Sequence, residues 1–417
     1  MKMPRLAPKI PRSRFGPVSR SIVTLVAALL LVSPGFAQTI TFLNSWGSNG
    51  SLPGQFVSPQ GVAVHNSTGK VYVTDFSNHR VEIFDSAGNF DSQFGSGGSG
   101  NGEFNNPWGI AIRQSTGDVY VVDSGNNRIQ QFTSAGVFIR AWGGFGTGNG
   151  QFQTPSGIAI NQTTGNVYVS EEAGNRVQLF TSTGAYFGQF GSMGTGSGQF
   201  DNPDGVAIDP TTGDVYVSQK GASRVQRFSK TGTYLSQWGS WGTDDGQFEW
   251  SLGMTTDSAG HLYVADALNY RVQVFDAANT FVTKFGSSGN GDGQFNVPHD
   301  VAIAPSGLLY VADKGNNRIS RFQVTFPAPP AQAPTVNTSV KKKQNTDKAK
   351  LTLKGDATDA TLVEVKVGKS AYKAAKGTTS WKFKAKLKPG KNKILIRAQG
   401  PGGISPVSKL TIIRKTT

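Results

Sequence analysis

The sequence predicts an all-β protein: a six-bladed β-propeller whose N-terminal strand closes the last blade, followed by a small β-sandwich. Three observations carry this. The triplet GQF stands at 54–56, 150–152, 198–200, 246–248 and 293–295, with GEF at 102–104, so the starts lie 48, 48, 48, 48 and 47 residues apart. Each interval holds four short runs of β-branched and aromatic residues, parted by turn residues such as TTG and STG. The repeats are cut out of phase, because a lone strand precedes the first triplet and the last repeat stops after its third strand. Solenoid repeats do not carry so many strands of such shortness, whereas propeller blades do.

From the N-terminus, residues 1–37 read as an export signal. Lys2, Arg5, Lys9, Arg12, Arg14 and Arg20 precede any acidic residue, and an apolar run over 22–32 follows. Gly35 and Ala37 suit cleavage after Ala37. The apolar run is short against the ~20 residues of a spanning helix. Cleavage, no transmembrane segment afterwards, and a secreted, periplasmic or cell-surface location are the expectation. The chain has no Cys, so disulfides, thiolate metal sites and Cys nucleophiles are excluded.

The propeller is expected over 38–325. In the third unit the strands are placed at 157–160, 166–170, 176–180 and 186–190. A Tyr in VYV or LYV, an Arg eight residues later and a Phe four beyond that recur in all six units, from Tyr72, Arg80 and Phe84 to Tyr310, Arg318 and Phe322. Pairing the strand at 39–46 with the one at 319–325 removes two sheet edges that otherwise invite aggregation.

The run Pro107-Trp108-Gly109-Ile110-Ala111, then Asp123, then Asn127-Arg128-Ile129, resembles the NHL repeat family, over about residues 39–325. The resemblance implies a six-bladed ring. The family's users are diverse: RNA- or protein-binding modules of tripartite-motif proteins, sensor domains of bacterial kinases, and the peptide-amidating lyase. Fold alone does not choose among them.

The recurring motifs read as architecture. Glycines before GQF supply the positive φ needed to bring the chain from rim to axis, and Phe152 and its equivalents are expected to plug between blades. Asp75/Arg80, Asp123/Arg128, Asp266/Arg271 and Asp313/Arg318, with Glu171/Arg176 as a variant, bracket a tight loop and are read as bracing it. In blade four Gln219 replaces the acid, which leaves Arg224 without that partner. Loops such as 290–293 lack the ligand spacing of a calcium loop, so turn chemistry is preferred.

Differences between blades are the better guide to function. In P-x-G-[VI]-A the x residue opens the innermost strand, and its six occupants are Gln60, Trp108, Ser156, Asp204, Leu252 and His299. These six are the candidate ligand-binding residues of the channel mouth, with Trp108 as the expected anchor because it offers a large apolar face and a donor. In the amidating lyases, histidines at comparable positions hold zinc, and Val297-Pro298-His299-Asp300-Val301 resembles one such segment. His65, His79 and His261 fall elsewhere. One His and one nearby carboxylate do not make the three ligands a catalytic zinc takes. No metal, cofactor or catalytic residue is assigned, and an Asp204/His299 acid–base pair is the weaker alternative.

Residues 326–335, FPAPPAQAPT, read as a stiff linker. The module at 336–417 carries strand runs at 349–355, 361–368, 380–388, 392–398 and 408–414, and resembles the immunoglobulin-like or fibronectin-like domains of exported bacterial proteins. The charges are divided: 15 Lys/Arg against 22 Asp/Glu over 38–335, and 20 against 4 over 336–417. An acidic propeller argues against nucleic acid. The basic module argues for a polyanion such as an anionic cell-envelope polymer. In SWKFKAKLK, alternation turns Trp381, Phe383, Ala385 and Leu387 inward and Lys382, Lys384, Lys386 and Lys388 outward. Those lysines either bind the polyanion or keep an exposed edge from pairing. The functional expectation is an exported, non-enzymatic interaction protein that binds a protein, peptide or glycan on the propeller's Gly-rich face. The alternative is a hydrolase or lyase, amidating-lyase-like or lactonase-like, in the channel mouth.

Overall fold

The computed structural model describes residues 39–325 and, beyond them, 335–336, 343–346, 348, 350–358, 362–376, 380–400, 403–404 and 408–414. The export signal at 1–37 and the linker up to residue 334 lie outside the described residues.

Each repeat gives one four-stranded antiparallel sheet. In blade one the strands are Pro59–Val64, Val71–Asp75, Arg80–Phe84 and Phe90–Phe94, hydrogen-bonded in that order, and blades two to five repeat it. Blade six is composite. Pro298–Ile303, Leu308–Asp313 and Arg318–Thr325 are completed by Thr39–Trp46, which pairs antiparallel with Arg318–Thr325. The expected closure by the N-terminal strand is therefore the observed one.

Apolar side chains from neighbouring sheets share one core per interface. Between blades one and two it holds Tyr72, Val81 and Ile83 against Ile110, Val119 and Phe132, with Phe104 of GEF at the centre. All six Phe of the triplets are fully buried. The glycine ahead of each triplet is fixed by the same packing: a Cβ on Gly95 would lie 2.5 Å from the Phe104 ring. The middle residue of the triplet ties the loop, since Gln151 Oε1 accepts from the Gly148 N–H at 3.1 Å. Four tyrosine hydroxyls stitch blade to blade, donating to the carbonyls of Ser134 (Tyr72, 2.9 Å), Ser182 (Tyr120, 3.3 Å), Lys230 (Tyr168, 2.9 Å) and, across the closure, Ser86 (Tyr310, 3.3 Å).

The Asp/Arg pairs do brace. Arg176 Nε donates to Glu171 at 2.6 Å, while its other nitrogens reach the carbonyls of Thr147, Gly148 and Gln151. In blade four the acid is absent, and Gln219 stands in for it: its Oε1 accepts from Arg224 Nε and Nη2 at 3.3 Å each. The bond is longer than its ionic equivalents, and Gln219 Nε2 is buried with no acceptor.

In the C-terminal part, Thr335–Val336, Lys350–Thr358 and Ser380–Lys386 form one sheet. Lys343–Thr346, Ser408–Arg414, Gly390–Gly400, Leu362–Val367 and Lys373–Ala374 form the second, in that order. Leu353, Trp381 and Ala385 from the first sheet meet Val363, Ile394, Ile396 and Ile412 from the second in one buried core. That is a β-sandwich. Lys382, Lys384, Lys386 and Lys388 are exposed, as the alternation predicts. Among the described residues no helix is long and apolar enough to cross a membrane.

Candidate functional site at one end of the propeller axis

The first strand of each blade lines a central channel of about 530 Å³. It begins with a bulge: in blade one Gln60 and Gly61 together oppose Thr74 alone, between the pairs Pro59–Asp75 and Val62–Val73. Such a bulge re-aims the side chain beside it. It also needs the glycine, because a Cβ on Gly61 would come within 2.6 Å of the Trp108 carbonyl in the next blade.

The six variable residues are thus gathered at one end of the axis, but not as an open mouth. Gln60 (2%), Ser156 (1%), Asp204 (2%), Leu252 (3%) and His299 (3%) are buried, and Trp108 alone is half-buried. Gln60, Trp108, Asp204 and His299 line the channel, whereas Ser156 and Leu252 do not. Ser156 Oγ lies 3.1 Å from Ser170 Oγ, and the Leu252 carbonyl accepts from Ser218 Oγ at 2.6 Å. Neither side chain opens on the channel. Trp108 is also less free than expected, with its ring edge-on to Phe76 (5.5 Å) and His299 (5.3 Å).

A second layer covers the first, and sequence reasoning missed it. It comes from the residue after each clamp acid, or after Gln219 in blade four: Phe76, Ser124, Glu172, Lys220, Ala267 and Lys314. This position also fails to repeat, which was the available signal. Lys314 Nζ stands 6.0 Å over the Trp108 ring, Lys220 Nζ stands 5.7 Å over Trp250, and Lys220 pairs with Glu172.

Burial sets the electrostatics. Desolvation, then Glu172, pushes the Asp204 carboxyl up to about 7, opposed by Lys220 and Lys314. Desolvation, with Lys314 next, holds His299 well below its ordinary range, so the ring is neutral. Its Nδ1–H donates to the Gln60 carbonyl at 3.2 Å. Lys314 is itself lowered by burial. Gln60 Oε1, Trp108 Nε1 and Asp204 Oδ2 are buried without a protein partner. Blade six adds Asp300 in the place of the bulge glycine. Its carboxylate accepts from Val62 N–H (3.0 Å) and Val301 N–H (2.9 Å), and desolvation pushes it up to about 8. No hydrogen bond joins Asp204 to His299, and among the described residues no three His, Asp or Glu converge to hold a metal. The donor set does not fit a lyase-type zinc.

Residues 55–141 match a family described as a 6-bladed beta-propeller, and residues 295–322 match the NHL repeat. The chain is a six-bladed β-propeller, and its last repeat is an NHL repeat. The B-box type zinc finger protein ncl-1 of Caenorhabditis elegans is 41% identical over 56 residues, which is 13% of this chain and 6% of that protein. A structural-genomics protein of unknown function from Bacteroides thetaiotaomicron superposes with a TM-score of 0.56 at 18% identity, over 69% of this chain and 76% of that one. A gluconolactonase of Xanthomonas campestris superposes with a TM-score of 0.50 at 13% identity, over 70% and 99%. At these identities the likeness is one of fold.

Proposed function

We propose that the protein is an exported, non-enzymatic binding protein. Its propeller takes a charged or polar group of a protein, peptide or glycan at the axial end, and its C-terminal sandwich contacts an anionic envelope polymer. One observation carries the reading: two stacked layers of non-repeating residues meet at one end of an otherwise repetitive ring. They combine Lys220, Lys314, Glu172 and Asp204 with the Trp108 ring. Positions that packing makes equivalent should match, and these do not. The signal-like segment at 1–37 supports export. The strand order of the two sheets, with Lys343–Thr346 parallel to Ser408–Arg414, supports an immunoglobulin-like assignment. The cleanest test probes peptide and glycan arrays with the full chain and with Lys220→Met/Lys314→Met. The double variant should fold and lose the bound class, and binding unchanged by it would refute the axial site.

The polyanion reading gains from register. Lys350 stands opposite Lys386, and Lys354 opposite Lys382. Like charges directly across a ladder oppose pairing. Lysines thus stand on two neighbouring strands, Ser380–Lys386 and Lys350–Thr358, and concentrate positive charge on one face of the sheet. Replacing Lys382, Lys384, Lys386 and Lys388 with Gln in the full chain should weaken binding to an acidic polysaccharide about tenfold and flatten its salt dependence. Unchanged binding would leave edge protection as the role of the ladder.

A hydrolase remains the second reading, favoured by two channel carboxyls, Asp204 and Asp300, held near neutrality. Turnover of a lactone panel that Asp204→Asn abolishes would establish it.

A further inference from the structure

The loop entering each blade carries a residue between Gly/Ser and Gly whose backbone is pinned by a parallel bridge to the triplet Phe. Its six occupants are Asn49, Gly97, Phe145, Met193, Trp241 and Ser288. Three adjacent blades thus display large apolar side chains, and among the described residues these are the most exposed large apolar ones: Phe145 at 74%, Met193 at 80% and Trp241 at 74%. The display is rigid. Around Trp241, Phe248 N–H donates to the Ser240 carbonyl (2.9 Å) and Gly242 N–H to that of Phe248 (3.2 Å), and the other two loops repeat this. Nothing in the ring's construction needs these side chains, because blades one, two and six are built identically with Asn, Gly and Ser. Large apolar side chains held in solvent at the same loop position of three successive blades, where the other three blades carry Asn, Gly and Ser, mark an interaction surface.

Its charge says what kind. The same loops carry Asp201, Asp244, Asp245 and Glu249. Asp245 is paired with Lys284, while among the described residues no cation pairs with Asp201, Asp244 or Glu249. We infer that the Phe145–Met193–Trp241 arc docks a cationic polypeptide segment whose apolar side chains cover the arc and whose Lys or Arg residues meet these carboxylates. An anionic lipid surface is repelled by the same carboxylates. A second propeller, with 22 Asp/Glu against 15 Lys/Arg, brings like charge to like. The arc lies in the entry loops rather than the axial layers, so it stands whether or not the axial site binds.

The experiment is selection of a random peptide library on the immobilised full chain. Selected peptides should combine Lys or Arg with aromatic or aliphatic residues. Phe145→Ser/Met193→Ser/Trp241→Ser should lower their affinity at least tenfold with the melting temperature unchanged, since all three side chains face solvent. Asp201→Asn/Asp244→Asn/Glu249→Gln, with the arc intact, should weaken binding and reduce its salt dependence. Peptides without basic residues, no selection at all, or affinity indifferent to the triple serine variant would overturn the proposal. So would vesicle binding or dimerisation that the triple serine variant abolishes.

Discussion

Asp204 shows how a single repeat position acquires chemistry. Four of its equivalents are uncharged residues, one is a histidine, and only Asp204 brings a carboxyl to this position. The folded protein holds this proton more tightly than the unfolded chain, because desolvation has raised the group to about 7. Its contribution to stability is therefore complete below the ordinary carboxyl range and is lost as pH rises to about 7. At ~1.4 kcal/mol for each pH unit of displacement the loss is a few kcal/mol at most. The melting temperature of the native chain should fall between about pH 5 and about pH 7, and Asp204→Asn, a neutral isostere, should flatten that fall. Equal slopes in the two proteins would mean that the carboxyl is hydrated and its pKa ordinary. The sequence revealed that residue 204 was special because its equivalents differ. It could not reveal enclosure, which depends on Glu172, Lys220 and Lys314 arriving from the loops of three other strands.

Within one blade, comparison with the other five predicts the effect of a substitution. Two residues beyond each clamp Arg, blades two to five carry Gln130, Gln178, Gln226 and Gln273. Gln178 accepts from Gly150 N–H (2.8 Å) and donates both to the Gln151 carbonyl (2.7 Å) and to Glu171 (2.7 Å). Blade one has Glu82. It accepts from Gly54 N–H at 3.1 Å, but Oε2 is buried without a partner, and desolvation pushes the group up to about 7. Glu82→Gln should restore the two donated bonds and raise stability by about 1–2 kcal/mol, more at pH 8 than at pH 6. Denaturant unfolding checks this, and a destabilised variant would show that Glu82 has a compensating contact with Arg80, 3.1 Å away. Strands and clamps were legible because packing repeats them. The Phe145–Met193–Trp241 arc was not, since an aromatic among glycines reads the same whether it plugs a core, as Phe152 does, or faces water. The short strand Lys343–Thr346 was missed too, its polar run lacking any apolar alternation.

At the scale of the whole molecule, stability rests on closing the ring, and one strand does it. Thr39–Trp46 makes seven paired positions with Arg318–Thr325, from Thr39–Thr325 to Trp46–Ile319. It also supplies side chains to both flanking interfaces: Ile40 and Phe42 pack into the core between blades five and six, Trp46 into that between six and one. Phe42 meets Phe322 edge-on at 5.5 Å, and Trp46 lies 6.0 Å from Tyr310. Removing the strand withdraws an aromatic from each core, ~3–5 kcal/mol apiece by analogy with large-to-small substitutions, and bares the edge of Arg318–Thr325. A chain lacking residues 39–46 should aggregate or unfold without a single cooperative transition. The edge it exposes is a template for strand addition, so a synthetic peptide of the sequence TITFLNSW should restore the cooperative melt in trans. The same peptide with its order scrambled should not, because register places Phe42 and Trp46 in different cores. A deletion variant that stays monomeric and melts like the parent would mean that the interfaces between blades, not the closing strand, hold the ring together.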